Sequence, residues 1–472
     1  MTRQFLLSIF VVLSTTILLS CAEKSSLPEQ GKEVTDEIAP VAQLGVIVVP
    51  RHYHIELTID SSQDAFSGQT TIDIDINKAL DRFWLHGKDL RVSEVYLTDK
   101  DSNRVEATYE ERHDSGVSMV ILEKQVEAGS AVVHFAYEAS FNLAADALFK
   151  VDRGAESYAL TQFEPIAARK VFPGFDEPVF KVPFDLEIVS RSEDIAVTTT
   201  PETTIIEEGN GFVRHTFETT RPLPTYLLAF AVGPYDVVDF GMIPANSIRD
   251  REIPLRGIAA KGLGERMQYA LSNTEGLLTK LEEYFGSPYP YRKLDLIAVP
   301  DSFGGAMENV GAITYDEYLL LMDKKSPVSQ RRDFMETHAH ELAHQWFGNL
   351  VTPSWWTDIW LNEAFATWIS YKVAQAHWPE GEFDRQILKG ALGAMSNDSL
   401  ASAREIREPI DHNDKISGAF DGITYQKGGG VLAMLEQYAG KAQFQKGIRY
   451  HMDRYADGTA MAEGFMESLV QG

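Results

Sequence analysis

Cysteine is nearly absent: Cys21 is the only one in 472 residues. No intrachain disulfide can form, and a four-cysteine zinc site or an all-cysteine iron–sulfur cluster is excluded. Any metal site in the folded body must be held mainly by His, Asp and Glu. Basic residues are scarce too, 43 Lys and Arg against 69 Asp and Glu, for a formal net charge of −26. A surface that negative repels phosphate backbones, so no nucleic-acid partner is expected. Internal repeats and low-complexity blocks are missing. With 44% hydrophobic and 24% charged residues, the chain is no disordered tail, fibrous repeat or disulfide-stapled miniprotein. It is long enough for at least two cores.

The two ends carry little structure of their own. Arg3 precedes an apolar stretch over residues 5–20 that is short for a membrane span, and residues 1–20 read as a signal peptide. The stretch stops at Leu18-Leu19-Ser20-Cys21, which resembles a bacterial lipobox. That resemblance implies a lipid on Cys21 and attachment to a membrane of the bacterial cell envelope. Ala22 resembles the outer-membrane sorting pattern, and a periplasmic or secreted protein is the alternative. Residues 21–44 are polar, contain Pro and Gly, and read as a tether. At the other end there is no charged tail and no stop signal, so the chain reads as interrupted.

Between them the hydrophobic period changes once. Tyr53, Ile55, Leu57 and Ile59 alternate with polar residues, as do Ile72, Ile74 and Ile76, and further strands are expected over 130–137 and 225–232. This predicts an all-β domain of antiparallel sheets over residues 45–240. After Leu263 the spacing turns helical, with Met267, Leu271, Thr274, Leu278, Leu281 and Phe285 on one face and Gly286 and Pro288 ending the run. With a strand expected over 293–299 and helical patterns from about Asp333, residues 241–472 are predicted to be an α+β domain.

That domain contains His340-Glu341-Leu342-Ala343-His344. On a helix the two histidines share a face and can reach one ion, while Glu341 can reach a bound water without being a ligand. Eighteen residues separate His344 from Glu363, and among them Pro353 and Trp355-Trp356 can turn the chain. A second helix over 361–371, antiparallel to the first, would bring its carboxylate to the histidines. Two His and one Glu with an open position is the composition of a catalytic zinc site. His338 should point elsewhere, and Asp358 is a candidate acceptor for a ligand histidine.

These motifs resemble the zinc aminopeptidases of the aminopeptidase N type, thermolysin-like gluzincins that include the leukotriene-hydrolase branch. Gly305-Ala306-Met307-Glu308-Asn309 matches the exopeptidase signature. Residues 161–165 (Thr-Gln-Phe-Glu-Pro), 172–178 (Phe-Pro-Gly-Phe-Asp-Glu-Pro) and 423–428 (Ile-Thr-Tyr-Gln-Lys-Gly) resemble further signature segments. The resemblance implies a thermolysin-like catalytic domain binding one Zn²⁺ through His340, His344 and Glu363, and removal of single N-terminal residues by attack of a zinc-activated water. Glu341 would take the water's proton and pass it to the leaving amine, and Tyr425 would hydrogen-bond the oxyanion. Glu308, Glu164 and Gln162 would grip the free α-ammonium of a peptide substrate. Backbone around Gly304, Gly305 and Ala306, with Met307 and Asn309 in the same signature, could pair with substrate as an added strand.

Three departures from the pattern stand out. Gly174 takes a place where many relatives have cysteine, and Ala364 follows the zinc glutamate where glycine is common. Relatives also continue into a helical C-terminal domain that closes the cleft, whereas this chain ends near the close of the catalytic domain. A fragment, a truncated product and a true two-domain form are all compatible with that. An inactive zinc- or peptide-binding protein and an epoxide hydrolase of the leukotriene-hydrolase kind are the alternative functions. The acid in Gln162-Phe163-Glu164 favours the aminopeptidase branch.

Overall fold

The computed structural model describes residues 38–301 and 304–472. The expected signal segment, Cys21 and most of the tether lie outside the described residues. The last part of that tether is docked: the Leu44 amide donates to Glu177 at 2.6 Å, and the Val41 carbonyl accepts from the Asn413 amide at 2.8 Å. Among the described residues no helix is long and apolar enough to cross a membrane.

Alternation builds the first half. Tyr53, Ile55 and Leu57 on strand Val48–Thr58 and Ile72, Ile74 and Ile76 on Ala65–Ile76 are buried, while the residues between them face outward. These strands pair antiparallel, with Ile55 opposite Thr70. They sit inside a ten-stranded sheet ordered Glu202–Gly209, Phe212–Phe217, Phe184–Arg191, Val48–Thr58, Ala65–Ile76, Gly129–Ser140, Arg91–Thr98, Arg104–His113, Val117–Val126, Leu80–His86. One pairing departs from the antiparallel expectation. Val48–Thr58 runs parallel to Phe184–Arg191, because the long chain between them serves as the crossover that a parallel pair needs.

A four-stranded sheet follows, ordered Ile195–Thr198, Phe230–Gly233, Glu156–Gln162, Ala147–Arg153. The strand expected over 225–232 is shorter than its apolar run. Only Phe230–Gly233 is strand, while Thr225–Leu227 makes a tight turn after Pro224, held where the Thr225 hydroxyl donates to Asp176 at 2.5 Å. A mixed five-stranded sheet, ordered Tyr235–Ile243, Ile253–Ala260, Leu294–Val299, Ala312–Asp316, Ala306–Met307, belongs to the second half. Phe149, Tyr158, Leu160 and Val197 from one sheet pack with Ile258, Ile297, Val299 and Ala312 from the other in a single buried cluster. This shared core fixes the end of Glu156–Gln162 relative to the edge strand Ala306–Met307.

The helices follow the predicted spacing. Gln268–Phe285 buries Leu271, Thr274, Leu278, Leu281 and Phe285 and stops at Gly286, whose φ of 65° closes the helix in the left-handed conformation. Val328–His344 packs on Ile359–His377. Behind that pair, Phe347 stacks on Phe365 at 4.0 Å and Phe285 on Trp346 at 5.1 Å, an apolar backing that excludes water from the far side of the helices. Phe175 and Trp356 are buried, and Trp355 is half-buried with its indole N–H on the Ile410 carbonyl at 2.7 Å.

Candidate active site

His340 and His344 lie one turn apart on Val328–His344, and Glu363 lies in the second turn of Ile359–His377. The two helices run antiparallel, since Glu363 meets the histidines while Tyr371, two turns on, faces Glu336, one turn before His340. The His340 and His344 Nε2 atoms are 2.9 Å apart, and Glu363 Oε2 is 3.3 and 3.4 Å from them. The predicted set thus converges on one point.

The orientation of His344 is set from behind. Its Nδ1 lies 3.1 Å from the Phe347 carbonyl and 3.3 Å from Asn362 Oδ1. Both are acceptors, so Nδ1 carries a proton, and Nε2 is the nitrogen that could bind a metal ion. This approach requires a glycine at 348, where φ is 128° and a Cβ would fall 2.3 Å from Asn362 Oδ1. Asp358 does not have the role expected of it. It binds Arg407 at 2.5 Å and the Ala462 amide at 3.1 Å, because it ends the turn before the helix and points toward the C-terminal helices. His338 points away as expected, bonded to Tyr315 and Thr274 at 2.7 and 3.0 Å.

Residues from both halves line a cavity of about 400 Å³ beside this point, among them Glu164, Gly304, Ala306, Glu308, Glu341 and Tyr425. Glu164, Glu308 and Glu363 bring carboxylate oxygens within 4.8 Å of one another. Glu308, just past the edge strand Ala306–Met307, is held by the segment that follows Val328–His344, through the Gln345 and Asn349 side-chain amides on its carbonyl at 2.9 and 2.7 Å. Within the signature, alternate residues face apart. Ala306 and Glu308 line the cavity, while Met307 is buried and the Asn309 amide donates to Thr314 at 3.2 Å. Gly304 also lines it, and Gly305 is pinned to Asp316 through its amide and carbonyl at 3.1 and 2.8 Å. Gln162 ends its strand half-buried with Oε1 lacking a partner, and is not in the cavity wall.

The electrostatics are lopsided. Glu164, Glu308 and Glu341 each keep a buried oxygen with no hydrogen-bond partner. Burial, then the charge of Glu308, raises the Glu341 and Glu164 carboxyls well above the carboxylate range. Burial also raises Glu308, with His344 opposing. At Glu363 burial opposes ionisation, but the two histidines outweigh it and hold the carboxyl at about 2. At His344 burial opposes protonation, but Glu308 and Glu363 outweigh it and pull the imidazole toward its cationic form. The cluster thus favours positive charge at the point where the three donors meet, and two imidazoles with one carboxylate suit zinc. Burial and the surrounding carboxylates also raise Tyr425 and keep it a donor, with its ring 6.1 Å from that of His340.

Several residues here escaped the sequence reading. Glu336 lines the cavity and is four positions before His340, the same helical spacing that relates the two histidines, so that signal was present. Burial, then the charge of Asp333, lifts its carboxyl to about 7. Asn362 and Gln345 adjoin the candidate ligands in sequence and Asn349 lies five positions past His344, but they announce nothing of their roles. The segment 172–178, by contrast, is a buried hub rather than part of the cavity. Asp176 binds Arg169 at 2.8 Å, and the Phe175 amide donates to the Tyr53 hydroxyl at 2.8 Å. A Cβ at Gly174 would meet that hydroxyl at 3.0 Å. Ala364 is accommodated by Gly428, where a Cβ would come within 2.6 Å of the Ala364 methyl.

A two-histidine, one-glutamate centre on paired helices, fed by a sheet edge and by a carboxylate from a β domain, defines a metallopeptidase type of architecture. Residues 49–227 match the peptidase M1 N-terminal domain, and residues 269–472 match the peptidase family M1 domain. Similar proteins include Aminopeptidase M1-A of Oryza sativa subsp. japonica, 33% identical over 91% of this chain and 49% of the relative. Endoplasmic reticulum aminopeptidase 2 of Homo sapiens and Glutamyl aminopeptidase of Bos taurus are each 34% identical over 90% of this chain and 45% of the relative. The chain belongs to the peptidase M1 family of the aminopeptidase N type. It spans about half the length of the curated relatives it matches.

Proposed function

We propose that this chain is a zinc aminopeptidase that removes single residues from peptides with a free N-terminus. The observation that carries this reading is the meeting, beside one cavity, of the His340–His344–Glu363 cluster with the unpartnered carboxylates of Glu164 and Glu308. His340, His344 and Glu363 would hold the zinc ion, which would supply a Lewis acid and lower the pKa of a water there. Glu164 and Glu308 hold the substrate's α-ammonium, which discharges two buried acids at once. Gln162, outside the cavity wall, would need to turn its unpartnered oxygen inward to join them. That grip fixes which peptide bond reaches the reacting point. Glu341 takes a proton from the attacking water and gives it to the leaving amine, a task suited to a carboxyl with a raised pKa. Tyr425 donates to the developing oxyanion, and the backbone at 304–306 lies beside the substrate as a neighbouring strand.

Attachment through a lipid on Cys21, at the outer membrane of a bacterial envelope, is part of the same proposal. It predicts that the protein partitions into detergent and that Cys21→Ser abolishes this.

The decisive assay uses zinc-loaded protein beginning near Ala22 against free and acetylated aminoacyl-naphthylamides. Hydrolysis of the free amines alone, lost in Glu341→Gln with zinc retained, is expected. Cleavage of acetylated substrates would remove the ammonium role, and activity surviving Glu341→Gln would remove the base. Silence of the wild type with zinc bound would make it a zinc-binding protein instead.

A further inference from the structure

The outer face of the ten-stranded sheet carries a second convergence of metal-binding side chains. His52 and His54 are two residues apart on Val48–Thr58 and so project from one face. Their rings stack at 4.4 Å and 6°. The strand on one side sets Asp73 directly opposite His52, and the strand on the other sets Asp185 opposite His54. Donor atoms of His52, His54 and Asp73 lie within 4.8 Å of one another. Asp185 Oδ2 is 2.8 Å from His54 Nδ1 and 3.1 Å from His52 Nε2, and Asp73 Oδ2 is 3.9 Å from His54 Nε2. The other Asp185 oxygen accepts from the Thr219 hydroxyl at 2.5 Å, which turns Oδ2 toward the histidines.

Two observations set this cluster apart from an ordinary surface ion pair. His52 Nε2 is buried and has no hydrogen-bond partner, although the Asp185 oxygen is near. Among the described residues, neither Asp73 nor Asp185 has a Lys or Arg within ion-pair distance. Neighbouring acids on the same sheet do: Asp75 pairs with Arg51, and Glu56 and Glu187 pair with Arg214. Two carboxylates therefore face two imidazoles with no counter-cation.

We propose that His52, His54, Asp73 and Asp185 form a second metal site, separate from the catalytic centre, for a divalent ion of the zinc, nickel or copper class. Two nitrogen donors favour these ions over calcium or magnesium, which take oxygen ligands. The His54 ring is exposed and the His52 ring half-buried, and splaying the stack would let both meet one ion. Bound there, it would tie three adjacent strands together across the parallel pairing of Val48–Thr58 with Phe184–Arg191.

Equilibrium dialysis of the full chain against micromolar zinc at neutral pH, read by elemental analysis, tests this. Two zinc ions per chain are expected in the wild type, and one in either His52→Asn/His54→Asn or His340→Asn/His344→Asn. The first of these variants should keep full peptidase activity. Asp185→Asn, which preserves shape, should weaken the second zinc at least about tenfold. A single zinc in the wild type, a second zinc retained by His52→Asn/His54→Asn, or unchanged affinity in Asp185→Asn would each overturn the proposal.

Discussion

Buried charge is treated in opposite ways in two parts of this molecule. Around the scaffold several deep charges are matched by a counter-charge. Arg249 and Glu282, both fully buried, meet at 2.8 Å, and Glu282 also accepts from Asn246 and the Tyr289 amide at 2.6 and 2.9 Å. Asp295 lies between Arg256 at 2.6 Å and Lys293 at 2.8 Å. Arg169 and Asp176 repeat the arrangement in the β half. In the cleft, three equally secluded acids, Glu164, Glu308 and Glu341, keep oxygens with no partner. A buried carboxyl left without partners is costly whether it ionises or stays neutral, so these three stand out as groups that a ligand could satisfy. The contrast separates charges that hold the fold from charges that await a ligand.

The sharpest way to break this contrast is Glu341→Gln. If the cleft acids serve chemistry, hydrolysis should fall by about 10²–10⁴-fold, with zinc content and urea midpoint unchanged. Arg249→Met is the mirror experiment. It strands Glu282 without its cation and should lower the unfolding free energy by about 3–5 kcal/mol in urea denaturation, while any folded fraction retains its zinc. Glu308→Gln sharpens the comparison by sign: KM for free-amine substrates should rise about 10–100-fold, the value of a lost charged hydrogen bond. Its urea midpoint should hold, because the group replaced has a buried oxygen with no hydrogen-bond partner. A drop in midpoint like that of Arg249→Met would place Glu308 with the scaffold. The smallest effect expected is steric. Gly428→Ala presses on the Ala364 methyl and should cost about 1–3 kcal/mol, with recovery on adding Ala364→Gly. Failure of that double-mutant rescue would show that the contact is not the cause.

Much of the architecture was legible because its rules are local. Period two placed Tyr53, Ile55, Leu57, Ile72, Ile74 and Ile76 inside without knowledge of their partners, and helical spacing did the same for Leu271 to Phe285. The turn at Thr225–Leu227 was misread, since an apolar run looks alike whether it extends or folds over a buried Asp176. The parallel pairing of Val48–Thr58 was invisible for a related reason: alternation fixes a strand's face but says nothing of the direction of its neighbour. Asp358 failed as an acceptor for histidine because its partner, Arg407, comes from a distant stretch that no spacing rule connects.

By itself the sequence determined the candidate metal-ligand set. His340 and His344 share a face through helix geometry alone, and Glu363 needs only a turn and a second helix to return. It also determined the chemistry available, since one cysteine leaves only His, Asp and Glu to hold an ion. The tertiary structure alone decided what surrounds that set. Glu164 and Glu308 follow strands of different sheets and meet because those sheets share a core. Asn362 reaches His344 because residue 348 lacks a Cβ. His52, His54, Asp73 and Asp185 gather because two strand registers happen to align them. Helical spacing is written in a dozen consecutive residues, whereas register and sheet packing are settled by contacts between segments far apart in the chain.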